Sequence, residues 1–209
     1  MTMNQPLQFS TPDDREELAR AEVYGLLAQL FYAPPTLELY EQLQVAPTVA
    51  PAPGGFLEAS WTALVAASRR LGLDEVRDEY EALFVGIGKP EVFVYGSYFI
   101  AGALNEKPLV ALRHDLRRLQ LERPDSVTET EDHIASLCEV MRYLIAGDDL
   151  AVSNLQQQRR FFDAHLRGWV DALWNAIANQ PRADFYRAVS LFARDFFSVE
   201  AQAFDLLDA

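Results

Sequence analysis

The chain has 209 residues, half of them hydrophobic, and a formal net charge of -13. That length supports a real core and that apolar content argues against disorder. The acidic balance argues against general nucleic-acid binding, which wants a basic face, and suits a partner that is itself basic.

No apolar run approaches the length of a membrane span. Residues 1–10 carry neither a basic nor an apolar signal-peptide region and read as a flexible N-terminus. Cys138 is the single cysteine, so no intramolecular disulfide is expected. It falls at an apolar helical position and reads as a core thiol in a reducing compartment, the cytoplasm.

In chain order, Thr11-Pro12-Asp13-Asp14 reads as a helix start, with proline and acids in the first turn. Val23, Leu26, Leu27, Leu30 and Phe31 form one apolar face, and Pro34-Pro35 stops the helix. A short helix capped by Thr36 carries Leu39 and Leu43. Residues 46–55 hold three prolines and end in two glycines, which makes a loop. A third helix carries Leu57, Trp61, Leu64, Val65 and Leu71 and ends at Gly72. A fourth starts near Asp74 and carries Val76, Tyr80, Leu83 and Phe84. Gly86-Ile87-Gly88-Lys89-Pro90 lacks phosphate-loop spacing, and Pro90 follows the lysine where a serine or threonine is required; it reads as a plain turn.

Residues 91–103 are strongly aromatic, and Gly96 and Gly102 argue against a regular helix. The expectation is an extended segment lying on the core, with a short strand as the alternative. A fifth helix begins near Pro108, buries Leu109, Leu112, Leu116 and Leu119, and turns Arg113, Arg117 and Arg118 outward. Thr128 and Glu131 then fit a capping box that opens a helix with Asp132 and His133 in its first turn. Its apolar positions are Ile134, Leu137, Cys138, Met141, Leu144 and Ile145, and Gly147 stops it. A long helical region from Asp148 or Asp149 to Asn179 and a last helix from Asp184 complete the chain. The expected fold is all-α, a single globular domain of roughly eight to ten packed helices over residues 1–209.

Metal sites need converging ligands. His114, His133 and His165 lie on three expected helices, and no pair has i, i+4 spacing. His114-Asp115 is similar to the His-Asp pair of metal-dependent phosphohydrolases, but the further ligands of such a site cannot be assembled. No serine or cysteine sits beside a base in a nucleophile setting. No cofactor and no metal site is expected. A binding protein remains. Between Arg123 and Arg142 stand Asp125, Glu129, Glu131, Asp132 and Glu139 with no lysine or arginine. Grouped carboxylates accept guanidinium groups bidentately. With the aromatic run Phe93 to Phe99 nearby, the surface would suit a peptide that places arginines next to an apolar stretch. The competing account is a solvated acidic helix end.

Four segments then carry a resemblance. Tyr80-Glu81-Ala82-Leu83-Phe84-Val85-Gly86 resembles the Tyr-x-x-Leu-Phe-x-Gly segment of the TorD/DmsD family of redox-enzyme maturation chaperones. Tyr95-Gly96-Ser97-Tyr98 is similar to that family's aromatic-x-Ser-x segment. Glu129-Thr130-Glu131-Asp132-His133 resembles its Glu-Pro-x-Asp-His signature, with Thr130 in place of proline. Phe162 to Trp169 is similar to its Phe-x-x-His-Leu-x-x-Trp. The order holds from about Leu18 to Glu200, while Phe93-Val94 replace prolines often found before the aromatic-x-Ser segment.

The resemblance implies a cytoplasmic, non-catalytic, all-helical chaperone. Such a chaperone binds the twin-arginine signal peptide or the apo form of a molybdenum-cofactor oxidoreductase subunit and delays export until the cofactor is inserted. By carry-over, Asp132 and His133 are the first peptide-site candidates, then Glu129, with Tyr80, Phe84, Tyr95, Ser97 and Tyr98 lining or supporting a groove; Glu131 joins the peptide-site candidates from the carboxylate grouping above. Asp132 is assigned as an arginine acceptor or as the group that orients His133. The alternative is that both only hold the loop–helix junction. A phosphohydrolase of the His-Asp type is the competing function. The protein is expected to be a monomer or a homodimer, with residues 122–127 as a hinge for helix exchange. No nucleic-acid partner and no membrane span are expected.

Overall fold

The computed structural model describes residues 12–48, 57–124 and 127–207. The expected helix start at Thr11, the expected N-terminal segment 1–10 and Asp125 lie outside these residues. Ten α-helices and no strand occur among the described residues.

Helix α1 (Pro12–Tyr32) is the axis of the fold. It buries Ala21, Tyr24, Leu27, Ala28, Leu30 and Phe31, spaced so that one broad stripe faces inward. Helix α7 (Ile134–Ala146) lies along it and buries Ile134, Leu137, Cys138, Met141, Leu144 and Ile145. On the other side runs α10 (Phe185–Leu206), which packs on α9 (Val170–Ala178) and α3 (Glu58–Arg70). Aromatic rings join these layers: Tyr24 meets Phe196 and Phe197 edge-on, and Phe31 contacts Phe84, Trp174 and Tyr186. The buried side chains form one continuous cluster from Ala21 to Phe204.

Local signals set the helix ends. Thr36 Oγ1 accepts the Leu39 N–H at 3.2 Å and starts α2 (Leu37–Val45). Glu75 reaches back to the Gly72 N–H at 2.7 Å at the start of α4 (Leu73–Tyr80). The fourth expected helix then changes pitch, because residues Glu81–Val85 form one π-turn. It closes at Gly86, where φ is 63° and a Cβ would stand 2.3 Å from the Lys89 carbonyl oxygen. Helix α6 (Lys107–Arg118) carries proline in its first turn and buries Leu109, Leu112 and Leu116.

Three expectations are corrected. Residues 91–103 are not extended throughout: after Val92 and Val94 turn into the core, Gly96–Ala101 forms the short helix α5. Gly96 suits its first position because a Cβ there would come within 3.2 Å of the Trp169 ring. The Thr128–Glu131 capping box does not open α7, which starts only at Ile134. Residues 132–134 are drawn instead into a two-strand contact. Gly96 N–H donates to the Asp132 carbonyl and Ile134 N–H to the Val94 carbonyl, each at 2.9 Å, forming an isolated antiparallel bridge between Tyr95 and His133. The helical region expected from Asp148 or Asp149 begins only at Leu155 and is made of two helices, α8 (Leu155–His165) and α9. Asn154 caps α8 through the Gln157 N–H at 3.1 Å. Trp169 Nε1–H donates to the His165 carbonyl at 2.7 Å, satisfying a group freed by the break.

Candidate functional site

The bridge between residues 94–96 and 132–134 places the signature residues. Asp132 is 4% exposed, and both carboxylate oxygens are used. Oδ2 accepts the Ser97 N–H at 2.8 Å, capping α5 across the chain, and Oδ1 accepts the Thr130 hydroxyl at 2.6 Å. His133 is the N-cap of α7: its Nδ1 accepts the Ala135 N–H at 3.1 Å. An accepting Nδ1 must be unprotonated, and burial, opposed by Glu129 and Asp132, lowers the imidazole pKa to about 4. The Tyr95 ring packs edge-on against His133, with centroids 5.0 Å apart. The Tyr95 hydroxyl donates to Glu129, and burial with that carboxylate raises its pKa well above the usual phenol range.

Five of the nine expected site residues therefore meet at one junction: Tyr95, Ser97, Glu129, Asp132 and His133. Tyr80 stands close behind it, 6% exposed, with its hydroxyl donating to the Phe31 carbonyl at 3.2 Å. Burial, then Glu129, pushes its pKa up to about 12. Phe84 packs on Phe31, Tyr80 and Tyr186 in the core wall. Tyr98 lies further along α5, between Phe93 and Phe99, with centroids 4.3 and 5.5 Å away. The Ser97 Oγ is buried without a hydrogen-bond partner.

Glu131 lines a groove of about 650 Å³. Its walls are the end of α1, the start of α2, the end of α6 with the loop after it, and one face of α7 from Ala135 to Tyr143. The apolar lining includes Tyr32, Leu39, Leu116, Leu121, Val140 and Tyr143. Glu122, Glu131 and Glu139 supply carboxylates, and among the described residues Arg123 is the one cationic side chain in the lining. Sequence reading missed this concavity. Val140 and Tyr143 were its legible trace, since they are apolar, three residues apart, and off the buried stripe of α7.

The acidic run is largely partnered within the protein. Arg113 reaches Glu131 Oε2 through two nitrogens at 3.0 and 2.9 Å, and Arg142 holds Glu139 at 2.8 Å. Burial works against ionisation of Glu131, but the Arg113 hydrogen bond and nearby charges hold its pKa below the usual carboxylate value.

The His-Asp alternative lacks a constellation. His114 is 80% exposed, while Asp115 accepts from His165 Nε2 at 2.9 Å. Among the described residues no group of three or more His, Cys, Asp or Glu side chains is placed to hold a metal ion.

The model of the nitrate reductase delta subunit family matches residues 54–175, more than half of the chain. The chain belongs to the nitrate reductase delta subunit family. This family is of the TorD/DmsD-like redox enzyme maturation chaperone type. The matched span contains the π-turn, the Tyr95–His133 bridge and the α8–α9 corner. The fold is similar to the crystal structure of a protein assigned as a redox enzyme maturation protein from Archaeoglobus fulgidus. That similarity has a TM-score of 0.55 and 16% identity, and covers 96% of this chain and 99% of the other. Among curated proteins none matches the sequence. Among the described residues no helix is long and apolar enough to cross a membrane.

Proposed function

We propose that this maturation chaperone acts in the cytoplasm, without catalysis, by binding the twin-arginine signal peptide of a molybdenum-cofactor oxidoreductase subunit. It holds that subunit back from export while the cofactor is inserted. The observation that carries this reading is the groove between α1, α2, α6 and α7. It offers an apolar wall to the hydrophobic run of such a peptide and carboxylates to its arginines. Glu131 is the member of the expected site set that faces the client. Asp132, His133, Glu129, Tyr95, Ser97 and Tyr80 position the wall from behind, and Phe84 and Tyr98 support it.

Calorimetric titration with a synthetic twin-arginine signal peptide, beside a twin-lysine copy, tests the proposal. Saturable binding that prefers arginine supports it. Equal affinity for both copies would remove the carboxylates from recognition. No binding to either would overturn the signal-peptide reading.

A further inference from the structure

The two guanidinium groups on Glu131 do not hold it in the same way. Arg113, from α6, sends both Nε and Nη2 to one oxygen, Oε2, at 3.0 and 2.9 Å. Near the other oxygen, Oε1, stands Arg123 Nε, at 3.8 Å. That separation is an ion pair without a hydrogen bond. Arg123 also donates to the Val127 carbonyl and, at 3.3 Å, to the Glu129 carbonyl, so its guanidinium lies over the segment that carries Glu131. Both Arg123 and Glu131 line the groove, where Arg123 is the one cationic side chain among the described residues. Its side chain is 36% exposed, against 15% for Glu131.

We infer that Arg123 is an exchangeable resident of the groove, occupying at Glu131 Oε1 the place that an arginine of the bound peptide takes. The inference rests on the groove reading above and adds to it the reading carboxylate and its internal competitor. Arg113 fixes Glu131, which lines the groove, through Oε2, and Oε1 carries the looser contact to Arg123. A peptide guanidinium that reaches Oε1 with a direct hydrogen bond replaces the looser Arg123 contact. Arg123 keeps its carbonyl acceptors, so its displacement leaves no buried charge behind. Exchange of one guanidinium for another also conserves the number of ion pairs. Binding to the wild type is therefore only weakly sensitive to salt at this position.

The test is titration of the full chain with the twin-arginine peptide and its twin-lysine copy, at low and moderate salt. The proteins are the wild type, Arg123→Gln, Glu131→Gln and the double variant, each checked for unchanged helicity. Arg123→Gln is expected to bind the arginine peptide about two- to fivefold more tightly at low salt, the range of a partly exposed ion pair. It should lose that advantage as salt rises, and in the Glu131→Gln background the substitution should have no effect. Unchanged or weaker binding by Arg123→Gln, beside a wild type that prefers arginine, overturns the inference and leaves the groove reading standing. A gain that survives in the Glu131→Gln background also overturns it, because the competition would then not be for that carboxylate. Absence of binding by all four proteins overturns the groove reading and the inference with it.

Discussion

At the residue scale, Asp132 and His133 act on backbone groups, and both roles have measurable consequences. Asp132→Ala would leave the buried Ser97 N–H without its acceptor, so a loss of about 1–3 kcal/mol in denaturant unfolding is expected. His133 couples the same junction to pH. Its folded pKa of about 4 lies below its ordinary 6.5, so the folded state favours the neutral ring. The associated stability is fully present above pH 6.5 and is lost as pH falls through about 4, because the unfolded chain takes up the proton first. His133→Asn keeps an N-cap acceptor without the titration. Between pH 7 and pH 4.5 the wild type should lose about 2–3 kcal/mol more than this variant in urea unfolding. Equal losses would show that His133 is not the group that titrates.

At the element scale, the helices are tied together by a few polar contacts set among the apolar ones. Glu200, 2% exposed on α10, accepts Arg20 Nε at 2.6 Å and Nη2 at 2.9 Å, and the Tyr24 hydroxyl at 3.0 Å, all from α1. Glu200→Ala leaves a largely buried guanidinium uncompensated and should cost about 3–5 kcal/mol in chemical denaturation. Glu200→Gln, which keeps acceptors for Arg20 and Tyr24, should cost less. Sequence legibility also divides at this scale. The apolar stripes of α1, α6 and α7 were readable because 3.6-residue periodicity follows directly from which face is buried. The α7 start was not, because the Thr128–Glu131 pattern competes with a pairing to residues 94–96 that lies far away in sequence. The π-turn at Glu81–Val85 was hidden for a related reason: its residue types suit an ordinary helix, and the altered pitch shows in the Gly86 N–H bond to the Glu81 carbonyl, at 2.8 Å. Gly86→Ala should therefore destabilise the fold, since both the positive φ and the Lys89 carbonyl oppose a side chain there.

At the scale of the whole molecule, the candidate site changes character between sequence and structure. The motifs pointed to the residues that build the α5–α7 junction. The concavity beside it is assembled from four elements, and residues as far apart as Ala28 and Tyr143 share its lining, which no local pattern reports. A groove made this way can be blocked without touching the core. Ala33 lines it from an exposed position just beyond α1, so a larger side chain there fills the groove rather than the interior. Ala33→Trp should leave helicity and the unfolding midpoint near the wild-type values, because exposed substitutions away from special backbone positions change stability by only about 0.5 kcal/mol. The same change should weaken binding of a peptide with an apolar run at least about tenfold, the equivalent of roughly 1.4 kcal/mol of lost apolar contact. A peptide whose apolar run is replaced by serines should bind weakly to both proteins and not distinguish them. If Ala33→Trp binds the apolar peptide as tightly as the wild type, the client lies on another face of the protein, and the aromatic surface around Phe93 and Tyr98 becomes the place to substitute next.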